Sequence, residues 1–242
     1  MMYGQNGRIG LLVPSANTVV EPEFTTLVPP GVSVYATRMR TQNANVHDSR
    51  ALLDHVDRAA DELGTAQPDV IAFACTSGSF IDGSTGEQEL RRRIEHVGQV
   101  GSVVTTAGAV IDALRRVDVR RVTVVTPYPD ELNILEQRFL ESEGIEVVTV
   151  AGMGIGDAYS IGGLAPQDVF EFAQDVWQNQ KADGMFLSCT NLPTIEILAR
   201  LENSFGVPVI SSNSATAWAC LRLLKIEAGI EDYGTLLDNC VV

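Results

Sequence analysis

The stretch Asp69-Val-Ile-Ala-Phe-Ala-Cys75-Thr76 decides the fold, because it returns in altered form as Asp183-Gly-Met-Phe-Leu-Ser-Cys189-Thr190. Each copy is an apolar run of strand length that ends in a cysteine and a threonine. Three echoes in the same order indicate a duplicated α/β half, and a period near 114 residues is far too long for a solenoid. The two other pairs are Arg8-Ile-Gly-Leu-Leu-Val-Pro14 with Arg121-Val-Thr-Val-Val-Thr-Pro127, and Val103-Val-Thr-Thr106 with Val209-Ile-Ser-Ser212.

Short β-rich runs alternate with amphipathic stretches along the whole chain. The pattern predicts eight strands, from Arg8–Val13 to Val207–Ile210, separated by helices such as Pro193–Phe205. Helices between short strands are typical of βαβ units around a parallel sheet that is covered on both faces. The predicted fold class is therefore α/β, with two pseudo-symmetric Rossmann-like lobes, each a mostly parallel sheet flanked by helices.

The 242 residues, 45% of them hydrophobic, suit one compact unit with a sizeable core. We expect a single unit over residues 1–242, with approximate halves 8–118, to which the C-terminus returns, and 119–220. A pseudo-twofold axis between the halves would make equivalent strand ends face each other. Ligands of open parallel sheets bind beyond the carboxyl ends of the strands, so Cys75 and Cys189 are predicted to face one cleft.

The charge balance excludes several classes of partner. The chain has 17 basic and 31 acidic residues and a formal charge of −14, without a dense basic stripe. Binding to nucleic acid or to an anionic membrane is not expected, and an anionic substrate must be held by local donors. No apolar stretch is long enough for a membrane span, and the N-terminus does not look like a secretory signal. Homo-oligomerisation is left open.

Cysteine usage points to a reducing compartment. The four cysteines are widely spaced and form no CxxC pair, which argues against a disulfide framework and for a cytoplasmic protein. Cys220 lies within a helical stretch of apolar residues and is expected to pack in the core. Cys240 lies in the terminal tail and is expected to be inert.

Cys75 precedes the small polar run Thr76-Ser77-Gly78, a loop able to aim backbone N–H groups at an anion. The same dipoles favour thiolate over thiol. Cys189 precedes Thr190 and Asn191, and Pro193 fits the first turn of the next helix, which would place all three residues at its positive end. Each cysteine can also be a small buried hydrophobe at a strand end. Its recurrence beside polar neighbours favours a functional role.

Asn17 and Tyr128 are two further candidates, because each follows the first predicted strand of its half. The amide of Asn17 could hold a carboxylate or serve as an ordinary turn or cap residue. Tyr128 is flanked by two prolines, which stiffen the loop, and its phenol could donate to a substrate oxygen or be a partly buried loop aromatic. The glycine-rich segment 152–163 is interpreted as a mobile loop over the site. The histidines lack metal-ligand spacing, and no cofactor is indicated.

Four segments in order resemble the maleate cis-trans isomerase and arylmalonate decarboxylase branch of the aspartate/glutamate racemase superfamily. They are Arg8 to Thr18, Ala74-Cys-Thr-Ser-Gly78, Val125-Thr-Pro-Tyr128 and Leu187-Ser-Cys-Thr-Asn191. The resemblance implies two Rossmann-like lobes and no metal or organic cofactor. It also implies that Cys75 is the nucleophile, that Cys189 assists, and that Asn17 and Tyr128 bind a carboxylate of the substrate.

The chain combines features of both enzymes of this branch. The decarboxylases carry Gly at the first cysteine and use a Thr-Ser pair with Tyr for two oxyanions, a set that Thr76, Ser77 and Tyr128 match. The isomerases keep both cysteines, as this chain does. They also commonly place an Asp-Asn pair in the loop after the sixth strand, where this chain has Asp157 and Ala158.

We therefore predict an isomerase, a cofactor-independent enzyme that interconverts a maleate-like dicarboxylate by a two-cysteine mechanism. The catalytic residues would be Cys75 and Cys189. The substrate-binding residues would be Asn17, Thr76, Ser77, Tyr128, Thr190 and Asn191. The alternatives are an arylmalonate-type decarboxylase or a racemase that acts through an enediolate, and a non-catalytic small-carboxylate binding protein.

Overall fold

The computed structural model describes residues 3–177, 181–226 and 229–238, and within them the strands form two four-stranded parallel sheets. The strand order is β2-β1-β3-β4 in the first sheet and β6-β5-β7-β8 in the second. The predicted α/β class with two lobes is confirmed. The strands are β1 (Gly7–Pro14), β2 (Val32–Met39), β3 (Val70–Phe73), β4 (Val103–Thr105), β5 (Arg121–Thr126), β6 (Glu146–Gly152), β7 (Gly184–Leu187) and β8 (Val209–Ser211).

Helices connect and cover the strands. Short 3₁₀ helices at Leu52–His55 and Ile195–Ile197 precede two of them. The α-helices are α1 (Val20–Leu27), α2 (Val46–Ala51), α3 (Val56–Gly64), α4 (Thr76–Phe80), α5 (Gly83–Val97), α6 (Thr106–Arg116), α7 (Asp130–Ser142), α8 (Ala158–Gly162), α9 (Pro166–Trp177), α10 (Leu198–Phe205), α11 (Ser212–Leu223) and α12 (Thr235–Asp238).

The two sheets repeat one another in order and in pairing. In the first sheet the central pair is β1 with β3, and Leu12 pairs with Phe73. In the second the central pair is β5 with β7, and Val125 pairs with Leu187. The cysteines follow β3 and β7, so each leaves the carboxyl end of a central strand. This is the place where open parallel sheets bind ligands.

The side chains of β3 are buried on both faces of the first sheet, as expected for a parallel strand covered by helices. Ile71 and Phe73 pack in the cluster formed with α3 and α5, whereas Val70 and Ala72 join the large cluster that runs into the second half. Helices α6 and α11 pack against one another, and Thr216 on α11 donates to Thr106 on α6 at 3.1 Å. We propose on this basis that the chain is a single compact unit with approximate halves 8–118, to which the C-terminus returns, and 119–220.

Local structure around both cysteines differs from the sequence-based expectation. The residues after Cys75 form the short helix α4 instead of a loop, because the Cys75 sulfur caps it by accepting the Gly78 N–H at 3.4 Å. After Cys189 the helix does not begin at Pro193, since the chain first turns and becomes helical at Ile195. Cys189 itself has φ of 107°, a conformation that cannot continue into a helix. Cys240 lies outside the described residues.

Candidate active site

A small cavity of about 50 Å³ lies where the carboxyl ends of the central strands of the two sheets meet, and both Cys75 and Cys189 line it. The expectation that the two thiols meet in one cleft is confirmed. The other residues of the cavity wall come from both halves and none carries a charge: Pro14, Asn17, Thr41, Asn43, Ala44, Ser49, Leu52, Thr76, Ser77, Tyr128, Ala158, Ile161, Thr190 and Asn191. All eight residues predicted from the sequence for the site are among these lining residues.

The Cys75 thiol is held at the start of α4, where 7% of the residue is exposed. Its sulfur accepts the Gly78 N–H and lies 3.7 Å from the Ser77 hydroxyl, which in turn accepts a hydrogen bond from Ser49 at 3.0 Å. Burial raises the pKa of Cys75, and the contacts with Gly78 and Ser77 only partly offset this. The expected thiolate-favouring effect of the loop dipoles is therefore outweighed by loss of solvent.

The Cys189 thiol sits in a strained turn. Its backbone N–H donates to the Ser212 hydroxyl oxygen at 3.0 Å, and its sulfur accepts the Asn191 N–H at 3.3 Å. Burial raises the pKa of Cys189 to about 12, although hydrogen bonds from Tyr128 and from the Asn191 N–H lower it. At neutral pH this thiol is protonated, so it is suited to deliver a proton.

Tyr128 lies in a rigid loop between two prolines. Its N–H donates to the Thr126 hydroxyl oxygen at 3.0 Å, and its carbonyl accepts from the Asn133 side-chain amide at 3.3 Å. Burial, and then the proximity of Cys189 and Glu136, holds the pKa of Tyr128 well above its usual value. The side chain is therefore a neutral phenol, able to donate a hydrogen bond in the cavity.

The two polar atoms of the Asn17 side chain have different surroundings. Its Oδ1 accepts the N–H groups of Val19 and Val20 at the start of α1 (2.9 and 3.0 Å), which is the role of a cap. Its Nδ2 donates to the Thr190 hydroxyl at 3.0 Å, and Thr190 donates to the Ala74 carbonyl. Among the described residues Nδ2 has one acceptor, so its second N–H is open to a ligand. The structure thus shows the turn or cap role of Asn17, and carboxylate binding by its amide stays a prediction.

The glycine-rich segment 152–163 covers the cavity, as expected. Asn191 donates to the Ala158 carbonyl at 2.6 Å and accepts the Thr18 N–H at 2.8 Å, so it ties this segment to the first half. Asp157 is exposed, and its carboxylate accepts from the N–H and hydroxyl of Ser160 at the start of α8. The residues of this segment that line the cavity are the apolar Ala158 and Ile161. Mobility of the segment stays a prediction.

The sequence profile of the family described as arylmalonate decarboxylase matches residues 9–237. The chain belongs to the arylmalonate decarboxylase family. It is similar to maleate isomerase of Nocardia farcinica, with 30% identity over 95% of each chain, and to arylmalonate decarboxylase of Bordetella bronchiseptica, with 26% identity over 99% of this chain and 100% of that one.

Solved structures of the same branch share the fold. A cysteine variant of N. farcinica maleate cis-trans isomerase with a covalently bound succinylcysteine intermediate superposes with a TM-score of 0.92, at 28% identity, and the match covers 97% of this chain and 99% of that one. A variant of the maleate isomerase of Pseudomonas putida S16 with maleate gives a TM-score of 0.90 at 27% identity, over 96% and 98%. The two-lobed architecture is thus that of the family.

Several residues around the family site were not predicted from the sequence. Ser49, which donates to the Ser77 hydroxyl, is one of them. Ser212 follows the last strand, where the sequence places it as a possible donor near the cleft, but its oxygen accepts the Thr76 hydroxyl at 2.8 Å and the Cys189 N–H. Two buried glutamates, Glu23 and Glu136, were also missed. The repeat could have flagged them, because they stand at equivalent places in the two halves, 113 residues apart like Arg8 and Arg121.

Over the part of the chain that the structure describes, the titratable residues outside the cavity do not form a metal centre. Within the described ranges there is no cluster of three or more His, Cys, Asp and Glu side chains that could hold a metal ion. His47 and His96 are exposed, and His55 is half-buried. None of the three lines the cavity. In the same part of the chain, no helix is long and apolar enough to cross a membrane.

Proposed function

We propose that this member of the family catalyses the cis–trans isomerisation of a maleate-like dicarboxylate, with Cys75 as the nucleophile and Cys189 as the proton donor and acceptor. The observation that carries the proposal is the pairing of two buried thiols at equivalent strand ends in one cavity, with a neutral phenol beside the second. Isomerisation requires a nucleophile that can add and leave again, which thiolate sulfur does well.

The reaction starts with addition of sulfur to the alkene. Cys75 first gives its proton to solvent, its thiolate sulfur then forms a bond to one alkene carbon, and the Cys189 thiol delivers a proton to the other carbon. The former double bond is then single and rotates. The Cys189 thiolate removes a proton from the second carbon, the C–S bond breaks, and the trans acid leaves. Sulfur, proton and electron pairs return to their starting places, so neither oxidant nor reductant is consumed.

Negative charge builds on a substrate carboxylate when sulfur adds, because an enediolate-like species forms. The donors proposed to meet it are the amide of Asn17 and the phenol of Tyr128, and removal of one such donor typically costs about 10²–10³ in rate. Thr76, Ser77, Thr190 and Asn191 are proposed to complete the contacts with the substrate.

Among the described residues the lining contains no Lys, Arg or His, so neutral dipoles are proposed to meet the charge of the substrate. The similarity to maleate isomerases supports a small dicarboxylate as the substrate, and maleate is the compound to test first. Three unpaired cysteines, Cys75, Cys189 and Cys220, support the further proposal that the enzyme works in the cytoplasm.

Intact-protein mass spectrometry after mixing with maleate tests the mechanism. Wild type is expected to gain the mass of one maleate, and the Cys75→Ala variant is expected to gain none. Cys189→Ser is expected to accumulate the adduct, because elimination needs a base at this position and a serine hydroxyl is far less acidic than a thiol, whereas solvent can supply the proton for addition. NMR in D₂O would follow fumarate directly. Absence of both adduct and fumarate would exclude maleate isomerisation.

Decarboxylation of an arylmalonate is the second candidate, because Thr76 and Ser77 follow Cys75 as a Thr-Ser pair follows the equivalent Gly in the decarboxylases. In that reaction Cys75 only lines the cavity, and Cys189 protonates one face of the enediolate. The Cys75→Gly variant separates the two reactions. It is expected to be inactive with maleate, and release of CO₂ from an arylmalonate by both wild type and this variant would favour decarboxylation.

A further inference from the structure

Two buried glutamates occupy equivalent places in the internal repeat. Glu23 lies on α1, the first helix after β1, and Glu136 lies on α7, the first helix after β5. Only 7% of Glu23 and 1% of Glu136 is exposed. Burying a carboxyl group is costly unless hydrogen bonds or protonation compensate for it, so each of the two residues calls for a physical reason.

The segment that follows the second thiol, residues 189–195, is called here the second-thiol loop. Glu23 binds one end of this loop directly and the other end through Asn213. Its Oε1 accepts the N–H groups of Thr194 at 2.7 Å and Ile195 at 3.2 Å. Its Oε2 accepts the side-chain amide of Asn213 at 2.6 Å, and the same Nδ2 donates to the Thr190 carbonyl at 3.0 Å. A side chain of the first half therefore holds a loop of the second half at three points.

The equivalent glutamate of the second half has no comparable set of donors. Glu136 accepts one hydrogen bond, from the Ser188 hydroxyl at 2.5 Å, and its Oε2 has no partner within the described residues. Burial raises the pKa of Glu23 to about 7 against the effect of its three donors, and raises that of Glu136 to about 8. Both halves thus have a buried glutamate at the equivalent position, but only Glu23, in the first half, accepts enough hydrogen bonds to clamp a loop.

The clamped loop carries a strained residue. Cys189 has φ of 107°, in a region that L-residues rarely occupy. Such a conformation costs on the order of 1–3 kcal/mol and persists only where the surroundings over-determine it. Glu23 supplies two of those restraints directly, at Thr194 and Ile195, and a third through Asn213 at Thr190, the residue next to the thiol.

We propose that Glu23 is a positioning residue for catalysis, whose carboxylate clamps the second-thiol loop to the first half and so aims Cys189 into the cavity. The inference rests on the proposed role of Cys189 in proton transfer. Glu23 does not line the cavity and does not touch substrate. It acts through the loop that carries Cys189 and, by way of Thr190, through the contact between Thr190 and Asn17.

Replacement of the carboxylate by an amide breaks the clamp without changing its size. In Glu23→Gln one oxygen becomes an NH₂ group, which cannot accept. If the NH₂ group faces Asn213, it meets the side-chain NH₂ of Asn213, so two donors oppose each other. If it faces Thr194 and Ile195, it meets their two backbone N–H groups, so three donors are brought together. Either arrangement releases one end of the loop. Displacement of a reacting group by about 1 Å can cost about 10²-fold in rate.

The test compares Glu23→Gln with Glu202→Gln. Glu202 lies on α10 and also accepts three hydrogen bonds, from the Val209 N–H and from the N–H and hydroxyl of Thr235, yet it holds no residue of the second-thiol loop. Two quantities are measured for each variant. One is turnover of maleate, and the other is the rate at which iodoacetamide alkylates Cys189, read from the mass of its peptide.

Glu23→Gln is expected to lower kcat about 10- to 100-fold and to speed alkylation of Cys189 about tenfold, because a released loop exposes the thiol while it loses its aim. Glu202→Gln is expected to leave both quantities within about twofold. If Glu23→Gln does not fold, Asn213→Ala removes only the arm to Thr190 and is expected to change both quantities in the same directions.

The inference is overturned if Glu23→Gln matches wild type in both measurements, or if Glu202→Gln changes them as much. Faster alkylation of Cys189 in Glu23→Gln without a fall in kcat would also contradict the inference. The alkylation rate needs no substrate. If wild-type protein does not isomerise maleate, the proposed function fails, and the alkylation of Cys189 still decides whether Glu23 clamps the loop.

Discussion

Glu136 offers the sharpest test of how burial controls charge in this protein. It lies on α7 with 1% exposure, and burial raises its pKa from 4.5 to about 8, because one hydrogen bond from Ser188 cannot replace lost solvation. At neutral pH it is therefore a neutral carboxylic acid. The change Glu136→Gln keeps the shape and the neutral state but removes the titration.

The direction in which pH changes the stability follows from the pKa of Glu136 in the unfolded chain, 4.5, and in the folded chain, about 8. Below pH 4.5 the carboxyl is protonated in the folded and in the unfolded chain, so its stabilising contribution is fully present. Between pH 4.5 and about 8 only the unfolded chain ionises, and each pH unit costs the fold about 1.4 kcal/mol. Relative to Glu136→Gln, wild type should lose on the order of 4 kcal/mol of unfolding free energy between about pH 5 and about pH 9.

Urea unfolding at those two pH values measures this difference, with the fluorescence of the buried Trp218 as the signal. Glu141→Gln is the matched control, because Glu141 lies on the same helix with its side chain exposed, and it should retain the pH dependence of wild type. Parallel curves for wild type and Glu136→Gln would refute the reasoning, since they would mean that Glu136 is equally ionised in the folded and unfolded chains.

Three further substitutions separate the roles assigned to the site. Gly162→Ala should lower activity at least about tenfold, because the new Cβ meets the Thr18 hydroxyl beneath the covering segment. The control Gly163→Ala should keep activity within about twofold of wild type, and equal effects of the two substitutions would contradict the packing argument. Asn17→Asp should raise KM for maleate while still capping α1, and an unchanged KM would exclude carboxylate binding by Asn17. Cys220→Ala should cost about 1 kcal/mol of stability and keep kcat, whereas a large fall in kcat would contradict a purely structural Cys220.

Most of the fold could be predicted because it rests on local patterns. Each strand is a short apolar run, and the repeat of such runs near 114 residues predicts two equivalent sheets. The predicted strand over Arg121–Thr126 has the same bounds in the structure. The short helices α1 and α8 were not predicted. Asn17 was interpreted as a possible turn or cap residue, and its side chain does accept N–H groups at the start of α1, whereas the capping side chain of Asp157 at α8 was not predicted.

The positions of the two cysteines were also predictable, because parallel strands bring their carboxyl ends to one edge of a sheet and a duplicated half brings two such edges together. The backbone conformation and the contacts of Cys189 could not be predicted in this way. Pro193 suggests a helix start immediately after the thiol, but the positive φ of Cys189 delays the helix to Ile195. Two of the residues that contact this turn are distant in the chain: Glu23, which accepts the Thr194 N–H from about 170 residues away, and Ala74, whose carbonyl accepts the Thr190 hydroxyl.

The sequence by itself determined the α/β class, the internal repeat and the two thiols at equivalent strand ends, since these depend on which residues are neighbours along the chain. Only the tertiary structure decided the charge of the site. Cys75 keeps its proton because distant segments remove its solvent, and this loss outweighs the N–H of Gly78 three residues away. Desolvation is a property of everything packed around a group, which no local motif records.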